Sequence, residues 1–189
     1  MLGFILFVVL PQGIAQAQPK PGLFGSMEIR SSNMKSFGKW TEMWRRHNLP
    51  KQTDELADTA QPRKCVGEFK AQCNRQEWEK FVAAQDTSDP EALIKAVNRY
   101  MNRAPYILDP VNWGIPDYWA TPDEFFMKDG DCEDYAISKY ITLKRLGYDP
   151  NLMRLVILQD ENLRVAHAVL AVQLNGTFYI LDNQIDSVL

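Results

Sequence analysis

The stretch Asp129-Gly130-Asp131-Cys132-Glu133-Asp134 sets one cysteine among four carboxylates, and a helix has to begin inside it. Downstream, Ala136, Ile137, Tyr140, Ile141, Leu143 and Leu146 recur at helical spacing. Lys144 and Arg145 suit a last turn, and Gly147 suits the position just past it. Asp131 is the N-cap candidate, with Glu133 and Asp134 in the first turn. Cys132 is therefore expected at about the first helical position, where the positive end of the helix dipole favours a thiolate. The neighbouring acids oppose this. At an effective dielectric of about 20, one like charge at about 6 Å costs roughly 3 kcal/mol. A hard cation with oxygen ligands would relieve the repulsion, and Ca2+ is the candidate for carboxylates at this density. The spacing is not that of an EF-hand loop, which places its ligands at alternate positions and a bidentate Glu at the twelfth. A solvated acidic helix start beside a structural cysteine is the competing reading of the local sequence.

The chain has 189 residues, 46% of them hydrophobic and 24% charged, enough to bury one good core. A net charge of −3, without a Lys/Arg cluster, excludes the usual nucleic-acid binder. No apolar stretch reaches membrane-spanning length. Residues Leu2 to Leu10 are almost wholly apolar and are followed by Ala15-Gln16-Ala17. This reads as a secretory signal cut after Ala17, although no Lys or Arg precedes the apolar run. A buried N-terminal strand or helix is the alternative. The mature protein is expected outside the cytosol, in the periplasm of a two-membrane bacterium. There Cys65 and Cys73 would close a small loop worth about 2–3 kcal/mol. Cys132 is left over, and an odd thiol in an exported protein flags reactivity. The two histidines, His47 and His167, do not sit at zinc-ligand spacing.

Residues 18–36 read as an extended lead-in and 37–189 as a single domain. Helices are expected over Phe37–Leu49, over Glu68–Ala84, and from Asp89-Pro90-Glu91 to just before Pro105. Residues 50–64 read as a loop or weak helix. Tyr106–Ala120 is irregular and aromatic, a groove wall or a local core. Thr121-Pro122-Asp123-Glu124 opens a short helix that leads into the acidic stretch. After Gly147 the period becomes two: Leu152–Leu158, Val165–Leu174 and Thr177–Leu181 read as strands. Asn175-Gly176 joins the last two as a two-residue hairpin. Leu174 then pairs with Thr177, Val169 faces Asp182, and His167 shares a face with Asp182 as a diagonal neighbour about 7–8 Å away. A carboxylate there would fix the imidazole tautomer and stabilise its cation. A purely structural histidine is the competing reading. The chain order Cys132, His167, Asp182 matches catalysis in which imidazole takes the thiol proton.

The runs Asp117-Tyr118-Trp119-Ala120-Thr121-Pro122, Gly130-Asp131-Cys132-Glu133-Asp134-Tyr135-Ala136, Met153-Arg154-Leu155-Val156, Ala166-His167-Ala168-Val169-Leu170 and Leu181-Asp182-Asn183 resemble the bacterial transglutaminase-like cysteine proteinases, and within them the LapG type. The resemblance covers roughly residues 23–185. It implies an α+β fold with a papain-like or transglutaminase-like core: N-terminal helices, and a cysteine-bearing helix packed on a C-terminal antiparallel sheet. It implies Cys132 as nucleophile, His167 as general base and later acid, and Asp182 as orienting carboxylate. It also implies calcium dependence, with Asp131 and Glu133 as ligands. The implied substrate is the N-terminal region of a large surface adhesin whose release disperses a biofilm. The implied restraint is an inner-membrane cyclic-di-GMP receptor. Relatives of this type continue with further strand beyond the position of Leu189, so the chain reads as short at its C-terminus. The natural first oxyanion donor is the Cys132 backbone N–H, with Trp113 or Trp119 as second. Two other functions fit the same residues: a transglutaminase or amidase with an amine acceptor, and a non-catalytic calcium-binding interaction module.

Overall fold

A computed structural model describes residues 22–26, 28, 33–49, 70–161 and 164–188, and the side chains of 70–73 lie outside the description. The signal reading, the 50–64 loop and the Cys65–Cys73 pairing fall outside the described residues. Of the described residues, 22–26 and 28 belong to one unit, in which Leu23–Gly25 make a 3-10 turn, and those from Asn33 on belong to the other.

The second unit carries six α-helices among its described residues: α1 Gly38–His47, α2 Lys70–Ala83, α3 Pro90–Met101, α4 Asp109–Asn112, α5 Pro122–Lys128 and α6 Cys132–Arg145. Three strands follow, β1 Met153–Asp160, β2 Val165–Leu174 and β3 Thr177–Leu181. They form an antiparallel sheet in the order β1-β2-β3. The helix starts follow the sequence signals. Asp89 caps α3 through its side chain on the Ala92 N–H at 3.0 Å, and Thr121 and Glu124 cap α5 reciprocally. One expectation needs correction. Residues 106–120 are not wholly irregular, because Asp109-Pro110 begins the single turn of α4 by the same acid–proline signal.

The core is organised around α6. Leu93, Ile94 and Val97 of α3 meet Ala136 and Leu143 of α6 and Met153, Leu170, Val172 and Leu181 of the sheet. Trp78 of α2, Met101, Phe125 and Phe126 meet Tyr135. Met43 of α1 meets Ile137 and Ile141. With partners on three sides, α6 buries Ser138, Lys139 and Thr142 as fully as its apolar residues. Thr142 is satisfied there: it accepts the Trp78 indole N–H at 2.9 Å and donates to the Ser138 carbonyl at 2.7 Å. The antiparallel hairpin has the expected register, Leu174 opposite Thr177 and Leu170 opposite Leu181. Asn175 and Gly176 both adopt positive φ, 52° and 86°, as a two-residue turn of this hand requires.

Leu170 is fully buried, whereas Ile157 on β1 is 55% exposed. Leu170→Ala is expected to cost about 2–5 kcal/mol in urea unfolding. Ile157→Ala should stay within about 0.5 kcal/mol of wild type.

Candidate active site

Cys132 opens α6, as the capping signals require, and its thiol is half-buried. Its Sγ lies 3.2 Å from Glu133 Oε2. The backbone N–H of Ala168 on β2 lies near enough to the sulfur to favour its anion. At that height β3 has already ended, since the β2–β3 pairing stops at Leu170 and Leu181. The residue before Ala168 is His167, and its Nε2 lies 3.0 Å from Asp182 Oδ1. The histidine is almost fully buried. Asp182 Oδ1 also accepts the Gln184 N–H at 2.9 Å. A ring held by the carboxylate at Nε2 has Nδ1 as its other nitrogen.

Burial and crowding dominate the electrostatics at the helix start. Burial, reinforced by Glu133, pushes the Cys132 thiol up to about 12, while the Ala168 N–H pulls the other way. Burial and the nearby Glu133 raise Asp131 to about 8. Asp134 and Asp109 are likewise raised, chiefly by burial.

Asp134 ties the helix start to its surroundings: Oδ1 accepts the Ala120 N–H at 2.7 Å and Oδ2 the Asp131 N–H at 3.3 Å. Asp109, absent from the sequence-derived site, joins the cluster from α4. Its N–H donates to Asp131 Oδ2 at 3.3 Å, and its own Oδ2 accepts the Tyr118 N–H. One atom from each of Asp109, Asp131 and Asp134 falls within 4.8 Å of the others, as do one each from Asp109, Asp117 and Glu133. Oδ1 of Asp109 and Oδ1 of Asp131 are buried without a hydrogen-bond partner among the described residues. Hard oxygens left unpaired in a negative cluster are the donor set a calcium ion takes. The acid–proline pair at Asp109-Pro110 was the one signal in the sequence that marks this residue.

The aromatic segment packs against its own residues and, at Trp119, against the core. Trp113 lies against Tyr118 at 4.3 Å between ring centroids, under the Lys128 ammonium at 4.2 Å. Trp119 packs on the α1–α6 cluster, and its carbonyl accepts from Arg46 at 2.5 Å.

Gly130 is where this construction has no spare room. A Cβ there would stand 2.7 Å from Cβ of Asp134 and closer still to its carboxylate, whereas a Cβ at Gly38 would meet nothing within 4 Å. Gly130→Ala is expected to displace Asp134, lower the melting temperature by at least about 5 °C and remove activity. Gly38→Ala should leave both unchanged or raise the melting temperature slightly.

Comparison with known proteins places this geometry. The chain is similar to Legionella pneumophila LapG, with 29% identity over 63% of this chain and 67% of that one and a TM-score of 0.57. An EGTA-treated form of the same protein matches at 29% identity over 63% and 66%, TM-score 0.57. A calcium-bound form matches at 28% over 64% and 68%, also at 0.57. A UPF0252 protein of Archaeoglobus fulgidus is 39% identical over 69 residues, 36% of this chain and 21% of that protein, so the chain spans about a fifth of this curated relative. The family model of the bacterial transglutaminase-like cysteine proteinases matches residues 59–189. With Cys132 at the start of a buried helix laid on an antiparallel sheet, the chain belongs to the bacterial transglutaminase-like cysteine proteinases.

Proposed function

We propose that this protein is a LapG-type cysteine endopeptidase working through Cys132, His167 and Asp182. The observation that carries the reading is the 3.0 Å contact of His167 Nε2 with Asp182 Oδ1, one residue before Ala168, whose backbone N–H favours the thiolate. The Cys132 thiol gives its proton to His167 Nδ1, and the thiolate attacks the scissile carbonyl. The Cys132 backbone N–H, at the open end of α6, donates to the developing oxyanion. The imidazolium returns its proton to the leaving amine, which departs and leaves a thioester on the sulfur. His167 then takes a proton from water, whose oxygen attacks the thioester and releases the acid and the thiolate, and the imidazolium returns that proton to the sulfur. Asp182 fixes the tautomer and stabilises the imidazolium throughout.

Calcium fits the acidic cluster. Asp131 and Glu133, joined by Asp109, Asp117 and Asp134, would hold it. When bound, it supplies positive charge that offsets the carboxylates around the thiol. The unpaired Oδ1 atoms of Asp109 and Asp131 support this. The similarity to Legionella pneumophila LapG in calcium-bound and EGTA-treated forms supports it too. The substrate is the N-terminal region of a large surface adhesin and the compartment the periplasm, with a cyclic-di-GMP receptor in the inner membrane as restraint. The family likeness and the apolar start at Leu2–Leu10 support that placement.

Cys132→Ala is expected to lower cleavage of a purified adhesin N-terminal region by at least about 10^4-fold with the fold intact by circular dichroism. Wild-type cleavage by this variant would reject the assignment. Stable incorporation of a labelled primary amine, with little hydrolysis, would move the function to transglutamination.

The raised carboxylates predict a pH signature. A group whose folded pKa lies above its unfolded value stabilises fully at low pH and loses that contribution as pH rises through the folded value, about 8 for Asp131. In EGTA the melting temperature should therefore fall between pH 5 and 8. Calcium at about 100 times its Kd should add about 5–10 °C at pH 7.5. An EGTA-insensitive melting temperature would remove the calcium assignment.

A further inference from the structure

Asp182 lies one residue beyond β3, where the pairing with β2 has stopped. Strand pairing therefore does not hold its backbone. Helix α3 does. Asn98 and Asn102 stand one helical turn apart on the same face. Asn102 Nδ2 donates to the Asp182 carbonyl at 3.0 Å, to the Ile185 carbonyl at 3.1 Å and to Asp186 Oδ1 at 3.1 Å. Asn98 Nδ2 donates to the carbonyls of Ile185 and Asp186, both at 3.1 Å. The two carboxamides thus take hold of the turn at both ends, and the Asp182 carboxylate closes it from inside through the Gln184 N–H at 2.9 Å.

Asn98 is a costly residue for its place. It is fully buried among Leu93, Ile94, Val97 and Met101, and its Oδ1 has no hydrogen-bond partner among the described residues. Asparagine is a weak helix former, and a buried half-paired carboxamide is worse for stability than a leucine that fits. Lys139 faces the same turn from α6. Its amine is fully buried without a hydrogen-bond partner among the described residues, in the field of Asp182 and Asp186. Polar groups from two helices are thus spent on five residues whose one site member is Asp182.

We infer that Asn98 and Asn102 are positioning residues for the peptidase reaction, holding the 182–186 turn so that the Asp182 carboxylate stays on His167. The inference rests on the Cys132–His167–Asp182 reading. It extends that reading to a helix which contributes no group to the chemistry.

The test uses the full chain saturated with calcium, and two probes that need no substrate. One is the rate of iodoacetamide addition at Cys132, read by peptide mass spectrometry at pH 7. The other is the imidazole Nε2–H resonance of His167 in protein labelled with 15N-histidine, with His47 as the only other histidine. Asp182→Asn is expected to slow alkylation by at least 10-fold and to lose the hydrogen-bonded resonance. Asn102→Ala should slow it about 3- to 10-fold and shift or broaden the same resonance. Asn98→Ser should act in the same direction and more weakly, because it leaves the bond to the Asp182 carbonyl in place. If the asparagines act through Asp182, the Asn102→Ala, Asp182→Asn double variant is no slower than Asp182→Asn alone. Multiplying effects, or an unchanged resonance in Asn102→Ala, would overturn the inference and leave the triad standing. Should Asn102→Ala not fold, Asn98→Ser paired with Asp182→Asn carries the same comparison. Wild-type alkylation in Asp182→Asn would bring down the triad reading, and this inference with it.

Discussion

Carboxylates from α4, from the aromatic loop and from the first turn of α6 gather on Asp131 and Glu133, the two acids that flank one half-buried thiol, and that crowding is the constraint the site is built around. Two like charges about 4.8 Å apart repel by roughly 3–4 kcal/mol at an effective dielectric of about 20. Burial is the larger cause, and together with this repulsion it lifts the Cys132 thiol and the Asp131 carboxyl well above their ordinary values. Alone, such a start to a helix would be a poor place for a nucleophile. A bound cation reverses the sign of the field, so the same cluster that silences the thiol would also make it respond to calcium.

The remainder of the fold keeps this helix start in register with β2. α6 is gripped on three sides by separate clusters, so its first residue is carried at a fixed height against the sheet. Asp134 fastens the incoming chain by its bonds to the N–H groups of Ala120 and Asp131, and Gly130 leaves room for it. Asp129, just before, adopts φ 64° as the C-cap of α5, a strained conformation for a residue with a side chain. That turn leads the chain from α5 into α6 within a few residues. On the far side, the β2–β3 hairpin brings His167 to Asp182, and α3 holds the turn that follows.

Much of this was legible in the sequence where short-range rules apply. The Asn175-Gly176 turn fixes the register of its hairpin, and register alone puts His167 and Asp182 on one face. The capping residues put Cys132 at the first position of its helix. What was not legible depended on burial or on distant pairing. Asp109 reaches Asp131 from 22 residues upstream, out of a segment with no clear period. Nothing in the spacing of Ser138, Lys139 and Thr142 marks them as buried, and their burial follows only from partners on several sides of α6. Asn98 and Asn102 look like surface residues of an amphipathic helix until the turn beyond β3 is laid over them.

The most direct test of the account is the rate of alkylation at Cys132 as a function of pH, measured in calcium and in EGTA, for wild type and His167→Ala. With calcium, the wild-type thiol is predicted to react near neutral pH with a midpoint well below that in EGTA, and His167→Ala should lose most of that advantage. Superimposable profiles in calcium and EGTA, or a His167→Ala profile identical to wild type, would contradict it.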